Sequence, residues 1–271
     1  MKNRLGLTGS TGSLGKALKR SNKNSLLSLF KGDVSKKDDV SRWIKKNNIN
    51  SIIHLAAIVP IKKVNKNKLN AKKTNFIGTK NLVDAVLEQN KIKWFFFSST
   101  SHVYSSSNKK ISENSKTRPI SYYGKTKLQA EKYIIKKFKR TKIRYCIGRI
   151  FSTANRNQKK NYLVPDLIDK IKYAKKTITL RNLNHFRDFI HMRTLSKIIF
   201  ILYKKQYNGI INLGSGKAIY LKDIANLINK KYKKNLKFID SGKTTTLVAD
   251  NSKLRKIIKF KLPNKTEEII F

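Results

Sequence analysis

Three glycines spaced three apart constrain this chain more than any other feature. They lie in the run Thr8-Gly9-Ser10-Thr11-Gly12-Ser13-Leu14-Gly15. The run follows Arg4 to Thr8, which reads as a short buried strand, and it opens Ser13 to Lys19, which reads as a helix. A strand that turns into a helix over such glycines is the setting of a dinucleotide-binding turn. One glycine permits the tight turn, another lets backbone N–H groups approach a pyrophosphate, and another lets helix and sheet pack closely. The helix N-terminus adds positive potential for phosphates. Gly9, Ser10, Thr11, Gly12, Ser13, Leu14 and Gly15 are therefore the candidate cofactor cradle.

The rest of the chain continues the rhythm. Leu26 to Phe30, Ser51 to Leu55, Trp94 to Phe97 and Ile143 to Ile150 read as apolar strands. Between them, Ser35 caps a helix running to about Lys46, Asn75 to Leu87 forms an amphipathic helix, and Tyr123 to Phe138 forms a third. Strand and helix in alternation predict an α/β fold, a Rossmann-like doubly wound parallel sheet, because fully apolar strands are buried on both faces. Beyond Phe151 the pattern loosens: helices are expected at Leu163 to Tyr173, Thr194 to Tyr203 and Leu221 to Lys231, a strand at Ile210 to Leu213, and a short strand with small helices after Asn235. The expected division is 1–150 as a dinucleotide-binding domain, and 151–271 as late sheet elements plus a small C-terminal substrate-binding lobe.

A formal net charge of +47 over 271 residues invites a nucleic-acid reading. The lysines are spread through every segment rather than gathered in a stripe or tail, so no specific nucleic-acid partner is expected. The charge attracts polyanions with steep salt sensitivity and steers anionic substrates. A single cysteine, Cys146, excludes an internal disulfide framework, and four scattered histidines offer no metal-ligand spacing. The first apolar run, Leu5-Gly6-Leu7, is too short for a signal-peptide core, and no apolar run approaches a membrane span. A cytoplasmic location with no membrane contact and no metal is expected.

Tyr123 and Lys127 stand four apart at the start of a helix and share one face. A lysine beside a phenol stabilises the phenolate, which makes a proton donor or acceptor usable at neutral pH. Tyr122 has Thr126 in the equivalent place, so Tyr123 is the candidate.

With the glycine turn and this pair in place, the chain resembles the extended short-chain dehydrogenases/reductases, especially the nucleotide-sugar epimerases, reductases and dehydratases. Gly32-Asp33-Val34 resembles the segment whose Asp meets the cofactor adenine. His54-Leu55-Ala56-Ala57 resembles the strand end lining the nicotinamide side, and Asn75-Phe76-Ile77-Gly78-Thr79 the helix after it. Ser98-Ser99-Thr100-Ser101-His102-Val103-Tyr104 resembles the segment holding the catalytic Ser or Thr. Arg187-Asp188-Phe189-Ile190-His191 resembles the segment whose Arg contacts the substrate diphosphate, and Asn212 to Gly216 and Ala249 to Leu254 resemble late family segments. The resemblance implies a catalytic triad of Thr100, Tyr123 and Lys127. It implies an NAD or NADP site made by residues 9–15, Asp33, Val34, Leu55, Ala56, Ala57, Asn75, Ser98, Tyr123 and Lys127, with NAD slightly preferred. It also implies a nucleotide-sugar substrate held by Thr100, Ser101 and Arg187, a role in surface-polysaccharide synthesis, and a homodimer formed through the helices carrying Asn75 and Tyr123.

Two features depart from the family pattern. Only sixteen residues separate Gly15 from Gly32, room for a helix and one strand where the family places two strands, so a strand–helix unit is expected to be shortened. The usual acidic residue on the adenosine ribose is then not identifiable, and Lys31 and Arg20 are nearby cations. Arg193-Thr194 stand where the family has an acidic residue, with Thr194 able to cap the next helix. Dehydratases of the family need an Asp–Glu pair after the Thr; Ser101 and His102 occupy those places, which favours a 4-epimerase or 4-keto reductase. The competing class is a non-catalytic dinucleotide-binding or basic RNA-binding protein on the same fold.

Overall fold

The computed structural model describes residues 4–22, 26–59, 61–89, 91–155, 158, 162–175, 177–180, 183–239, 244–263 and 266–267. The chain divides into two units. The first comprises Met1–Ser105, Lys116–Ile150 and Leu195–Ile211; the second comprises Ser106–Ser115, Phe151–Thr194 and Asn212–Phe271.

The first unit is built on β1 (Arg4–Thr8), β2 (Leu26–Leu29), β3 (Ile49–His54), β4 (Trp94–Thr100) and β5 (Arg144–Ile150), which pair in parallel. The sheet order is β2-β1-β3-β4-β5, with the strand Gly209–Leu213 beyond β5. The chain reverses direction of travel between β1 and β3, the switch point where ligands of such folds sit. Between the glycine turn and Gly32 stand only α1 (Ser13–Ser21) and β2 among the described residues.

β4 shows why these strands are fully apolar. Trp94, Phe95, Phe96 and Phe97 are all 0 % exposed, so both faces of the strand are covered. On one face Phe95 and Phe97 meet α2 (Lys37–Lys46), whose Val40, Trp43 and Ile44 join the core, together with α5 (Gly78–Leu87) and α6 (Tyr122–Phe138), while α3 (Ile61–Lys66) and α4 (Lys68–Lys72) pack Val64 and Ala71 with Tyr123 of α6. Burial of one large apolar side chain contributes roughly 1.5–3 kcal/mol, so this aromatic layer is a main source of sheet stability.

Three expectations are corrected. Ser35 is not the cap of α2: Lys36 holds that position, and Ser35 instead donates its N–H and hydroxyl to Asp33 Oδ1 at 2.9 and 2.8 Å. The helix expected from Asn75 begins earlier, as α4 at Lys68, and passes through a π turn, Lys73–Ile77, before continuing as α5 from Gly78. Asn75 spends its side chain on Ile58 rather than on solvent, with Oδ1 accepting Ile58 N–H at 2.7 Å and Nδ2 donating to Ile58 O at 3.0 Å. Thr194 lies inside α8 (Met192–Lys204), not at its cap.

In the second unit, α7 (Leu163–Tyr173) and α9 (Leu221–Lys231) pack together over Phe189, Leu180 and Leu183. The remaining strands here are short. Ser152–Ala154 pairs with Phe189–His191, His185–Arg187 lies between Ile219–Tyr220 and Thr245–Leu247, and Thr177–Thr179 pairs with Lys237–Ile239. The tail thus carries the expected helical segment, α10 (Ser252–Ile257), with two short strands in place of one. Asp188 is 0 % exposed and accepts Ser215 N–H and Oγ at 2.7 Å each, Gly216 N–H at 2.9 Å and Ala249 N–H at 3.1 Å. A carboxylate so supplied with donors ties three loops to one point. No helix among the described residues is long and apolar enough to cross a membrane.

Candidate active site

The glycine turn leaves β1 at Thr8 and enters α1 at Gly12, whose N–H is bonded to Gly9 O at 3.1 Å. Gly9 has φ +69°, and a Cβ there would stand 2.7 Å from Ala56 N and Leu55 C. A Cβ on Gly15 would press into Gly9 O and stand 2.7 Å from Ser10 Cα. Gly12 is different: its added Cβ would touch only Gly9 O, at 3.4 Å, and otherwise meet open space. No acidic residue and no side-chain cap occupies the first turn of α1, so its N–H groups face an exposed rim at Thr11 and Gly12. A backbone cradle that a side chain would fill, at an uncapped helix N-terminus, suits a diphosphate.

The floor beneath this turn is a directed chain of hydrogen bonds. Thr8 Oγ1 accepts the N–H groups of Leu55 and Ala56 at 3.2 Å each, so its own proton goes to His54 Nδ1, 2.7 Å away. His54 must then carry its proton on Nε2, which donates to Thr79 Oγ1 at 3.0 Å; Thr79 donates on to Asn75 O at 2.8 Å. Burial pushes the His54 pKa down to about 3, helped by the Lys127 charge, so the ring is neutral. From Asn75 the chain continues through Nδ2 to Thr126 Oγ1 at 3.4 Å, and Thr126 donates to Tyr123 O at 2.8 Å. The strand under the glycine turn is thereby bonded through to the helix of Tyr123.

Thr100 ends β4, and its Oγ1 accepts His102 N–H at 3.2 Å across the 3-10 turn Ser101–Val103. Helix α6 starts at Ser121, whose Oγ accepts Gly124 N–H at 3.0 Å. It rests directly on that turn, because Gly124 has no Cβ: one would stand 2.9 Å from the carbonyl carbon of His102. Tyr123, 6 % exposed, meets the His102 ring edge-on at 6.0 Å between centroids. Lys127 is 1 % exposed, and its Nζ stands 4.0 Å above the Phe97 ring. It makes no hydrogen bond or ion pair among the described residues. Burial pushes its pKa down to about 7, against the opposing pull of Glu131.

The remaining candidates divide. Ser98 is half-buried on β4, Ser101 is buried, and Leu55, Ala56 and Ala57 line the end of β3 half-buried. Val34 is packed beneath Gly78, and Asp33 is held below the usual carboxylate range by its bonds to Ser35. Arg187 belongs to the second unit. Its guanidinium donates to Phe186 O at 2.8 Å, Thr245 O at 2.9 Å and Thr245 Oγ1 at 2.8 Å. No carboxylate pairs with it among the described residues, and burial pushes its pKa down to about 10.

One group escaped the sequence reading. Glu131 and Arg149, both nearly inaccessible, form a buried pair in which Nε lies 3.1 and 3.2 Å from the two carboxylate oxygens and Nη2 lies 2.7 Å from Oε2. Ser99 donates to the same carboxylate, and Arg149 Nη1 donates to Tyr104 OH at 2.7 Å. The available signals were the spacing of Glu131, four after Lys127, and an arginine, Arg149, in the apolar interior of a strand.

A family model described as GDP-mannose 4,6 dehydratase matches residues 4–270. The chain belongs to that family. It lies within the extended short-chain dehydrogenases/reductases of the nucleotide-sugar epimerase/dehydratase type, as the motifs implied. Among its relatives, GDP-6-deoxy-D-talose 4-dehydrogenase of Aggregatibacter actinomycetemcomitans is 27% identical over 235 residues, 83% of this chain and 79% of that protein. UDP-glucose 4-epimerase of Rhizobium meliloti (strain 1021) is 26% identical over 255 residues, 85% and 77% of the two chains. The structure of RMD from Pseudomonas aeruginosa complexed with NADPH superposes with a TM-score of 0.88 at 17% identity, covering 99% of this chain and 96% of that one. That likeness confirms the Rossmann-like architecture.

Proposed function

We propose that this protein is an NAD- or NADP-dependent enzyme that acts on a nucleotide-activated sugar by hydride transfer at a sugar carbon, as a 4-epimerase or 4-keto reductase. The observation that carries the reading is the buried Lys127 ammonium. It lies one helical turn from Tyr123, on the helix that rests against the turn after Thr100, and makes no hydrogen bond or ion pair among the described residues. A desolvated cation kept beside a phenol has a chemical use: it stabilises negative charge on the phenol oxygen. Relatives named as a 4-dehydrogenase and a 4-epimerase of nucleotide sugars support the substrate class.

The glycine cradle and the uncapped N-terminus of α1 fit a dinucleotide diphosphate, with Gly9 to Gly15, Asp33, Val34, Leu55 to Ala57, Asn75 and Ser98 as its surroundings. The nicotinamide, when bound, supplies hydride exchange. The protein's own groups do the rest. Tyr123 takes the proton of a sugar hydroxyl or gives one to a carbonyl, Thr100 hydrogen-bonds that oxygen, and Lys127 holds the ribose and stabilises the phenolate. Ser101 is a further candidate for the sugar. Arg187, a half-buried cation without a carboxylate, suits the substrate diphosphate. Dehydration is disfavoured, because Ser101 and His102 follow Thr100 where elimination would call for a carboxylic acid and its base. A homodimer and a place in surface-polysaccharide synthesis extend the same reading.

The test is Tyr123→Phe, assayed with UDP-glucose and with GDP- and dTDP-linked 4-keto sugars. Turnover is expected to fall at least about 100-fold, with cofactor affinity within about twofold of wild type. Turnover by wild type with no net change in NADH indicates epimerase, and stoichiometric oxidation indicates reductase. Undiminished turnover in the variant, or a wild type inert to the whole panel while binding RNA selectively at physiological salt, refutes the reading.

A further inference from the structure

Glu131 stands one helical turn beyond Lys127 and two beyond Tyr123 on α6, and it is 1 % exposed. A carboxylate leaves water only when its charge and lone pairs are answered. Arg149 answers from β5 through Nε and Nη2, and Ser99, the residue before Thr100 on β4, donates a further bond. One carboxylate thus belongs to the helix of Tyr123 and Lys127 and is bonded to the strand that delivers Thr100. Ionisable groups facing Lys127 from the neighbouring elements are neutral His54 on β3, Tyr123 and Glu131 on α6, and beyond Glu131 the Arg149–Tyr104 pair. Glu131 alone among these is anionic.

We propose that Glu131 is a positioning residue for the proposed reaction: locked by Arg149 and Ser99, it supplies the negative charge that keeps buried Lys127 protonated beside Tyr123. Lys127 is the group that needs such help. It has no hydrogen-bonded counter-ion among the described residues, and desolvation alone drives an ammonium towards the neutral amine. Burial already brings its pKa down to about 7, and the Glu131 charge is the one influence that raises it. Arg149 has a second part in this arrangement. It fixes the carboxylate without a proton, and its own charge is cancelled only while Glu131 is ionised.

The inference rests on the assignment of Tyr123 and Lys127, and its test separates the two. Cofactor-free protein labelled with 13C at lysine Cε is titrated by NMR from pH 5 to 10, with Lys127→Met used to assign the signal. The variants are Glu131→Gln and the double variant Glu131→Gln/Arg149→Met. The expected order of Lys127 midpoints is wild type highest, double variant lower by about one pH unit, and Glu131→Gln lowest, because there the Arg149 charge is unopposed. The alkaline limb of the pH–rate profile is expected to move down in the same order. If Glu131→Gln does not fold, the double variant against wild type carries the comparison, since it removes both members of the Glu131–Arg149 pair together. Coincident midpoints in every folded variant overturn the inference. Failure of the underlying assignment shows elsewhere, as turnover retained in Tyr123→Phe, which the midpoints do not depend on.

Discussion

Gly12 and Gly15 belong to one motif, and the structure predicts opposite consequences for replacing them by alanine. Gly12 has φ −71° and ψ 167°, a conformation any residue adopts, and its added methyl reaches only Gly9 O at 3.4 Å. The smaller unfolded-state entropy of alanine contributes about 0.4–1 kcal/mol, and the poorer N-cap costs a similar amount. Gly12→Ala should therefore leave stability within about 0.5 kcal/mol of wild type. Gly15 lies inside α1, where alanine contributes about 1 kcal/mol of helix propensity. Its methyl, however, would overlap Gly9 O and stand 2.7 and 2.9 Å from Ser10 Cα and C. These are backbone atoms, which cannot rotate aside, so the cost belongs at the upper end of the usual 1–3 kcal/mol for overpacking. The net loss is about 2 kcal/mol. Urea unfolding monitored by tryptophan fluorescence gives both values, with an unchanged slope showing that the denatured state is the same. Dinucleotide binding dissociates the two further. Gly12→Ala places a methyl where a pyrophosphate must approach, so NADH affinity should fall at least about tenfold in a protein of normal stability. A Gly15→Ala protein as stable as wild type, or a Gly12→Ala protein that binds NADH normally, refutes the reasoning.

Other outcomes follow from single observations. The Lys127 pKa of about 7 in the folded protein lies below its ordinary 10.5, so between those values the unfolded chain binds a proton that the folded chain does not. Stability of cofactor-free protein should accordingly gain a component that rises from about pH 7 to about pH 10; urea midpoints for wild type and Lys127→Met across that range check it, and equal pH slopes refute it. The His54 ring should show the Nε2–H tautomer by 15N NMR and no titration from pH 5 to 8. Asp188→Asn turns one acceptor into a donor facing backbone N–H groups, and should cost about 1–3 kcal/mol in thermal or urea unfolding. Arg187→Met should raise KM for a sugar nucleotide about tenfold or more with little change in cofactor affinity, as expected for loss of a cation that meets a diphosphate.

Much of this architecture is local in origin and was therefore legible along the chain. An apolar run such as Trp94 to Phe97 can only be a strand buried on both faces, and the sheet it enters is the one observed. Leu163–Tyr173 and Leu221–Lys231 have the helical bounds that their apolar periodicity predicts. The pairing of Tyr123 with Lys127 on one face follows from 3.6 residues per turn. Gly9 and Gly15 announce close backbone approach, which their surroundings explain.

What escaped the sequence is set by neighbours far apart along it. Whether Ser35 or Lys36 precedes α2 depended on Asp33 competing for the Ser35 N–H and hydroxyl. The π turn at Asn75 depended on Ile58 standing where its amide could close on it. The tautomer of His54 was decided by two N–H groups that use up the acceptor side of Thr8. Spacing along the chain did not by itself single out Glu131; Arg149, from a strand eighteen residues on, meets it out of water only in the fold. Periodicity records which face of an element is buried; only packing in three dimensions decides which charge or proton that face must answer.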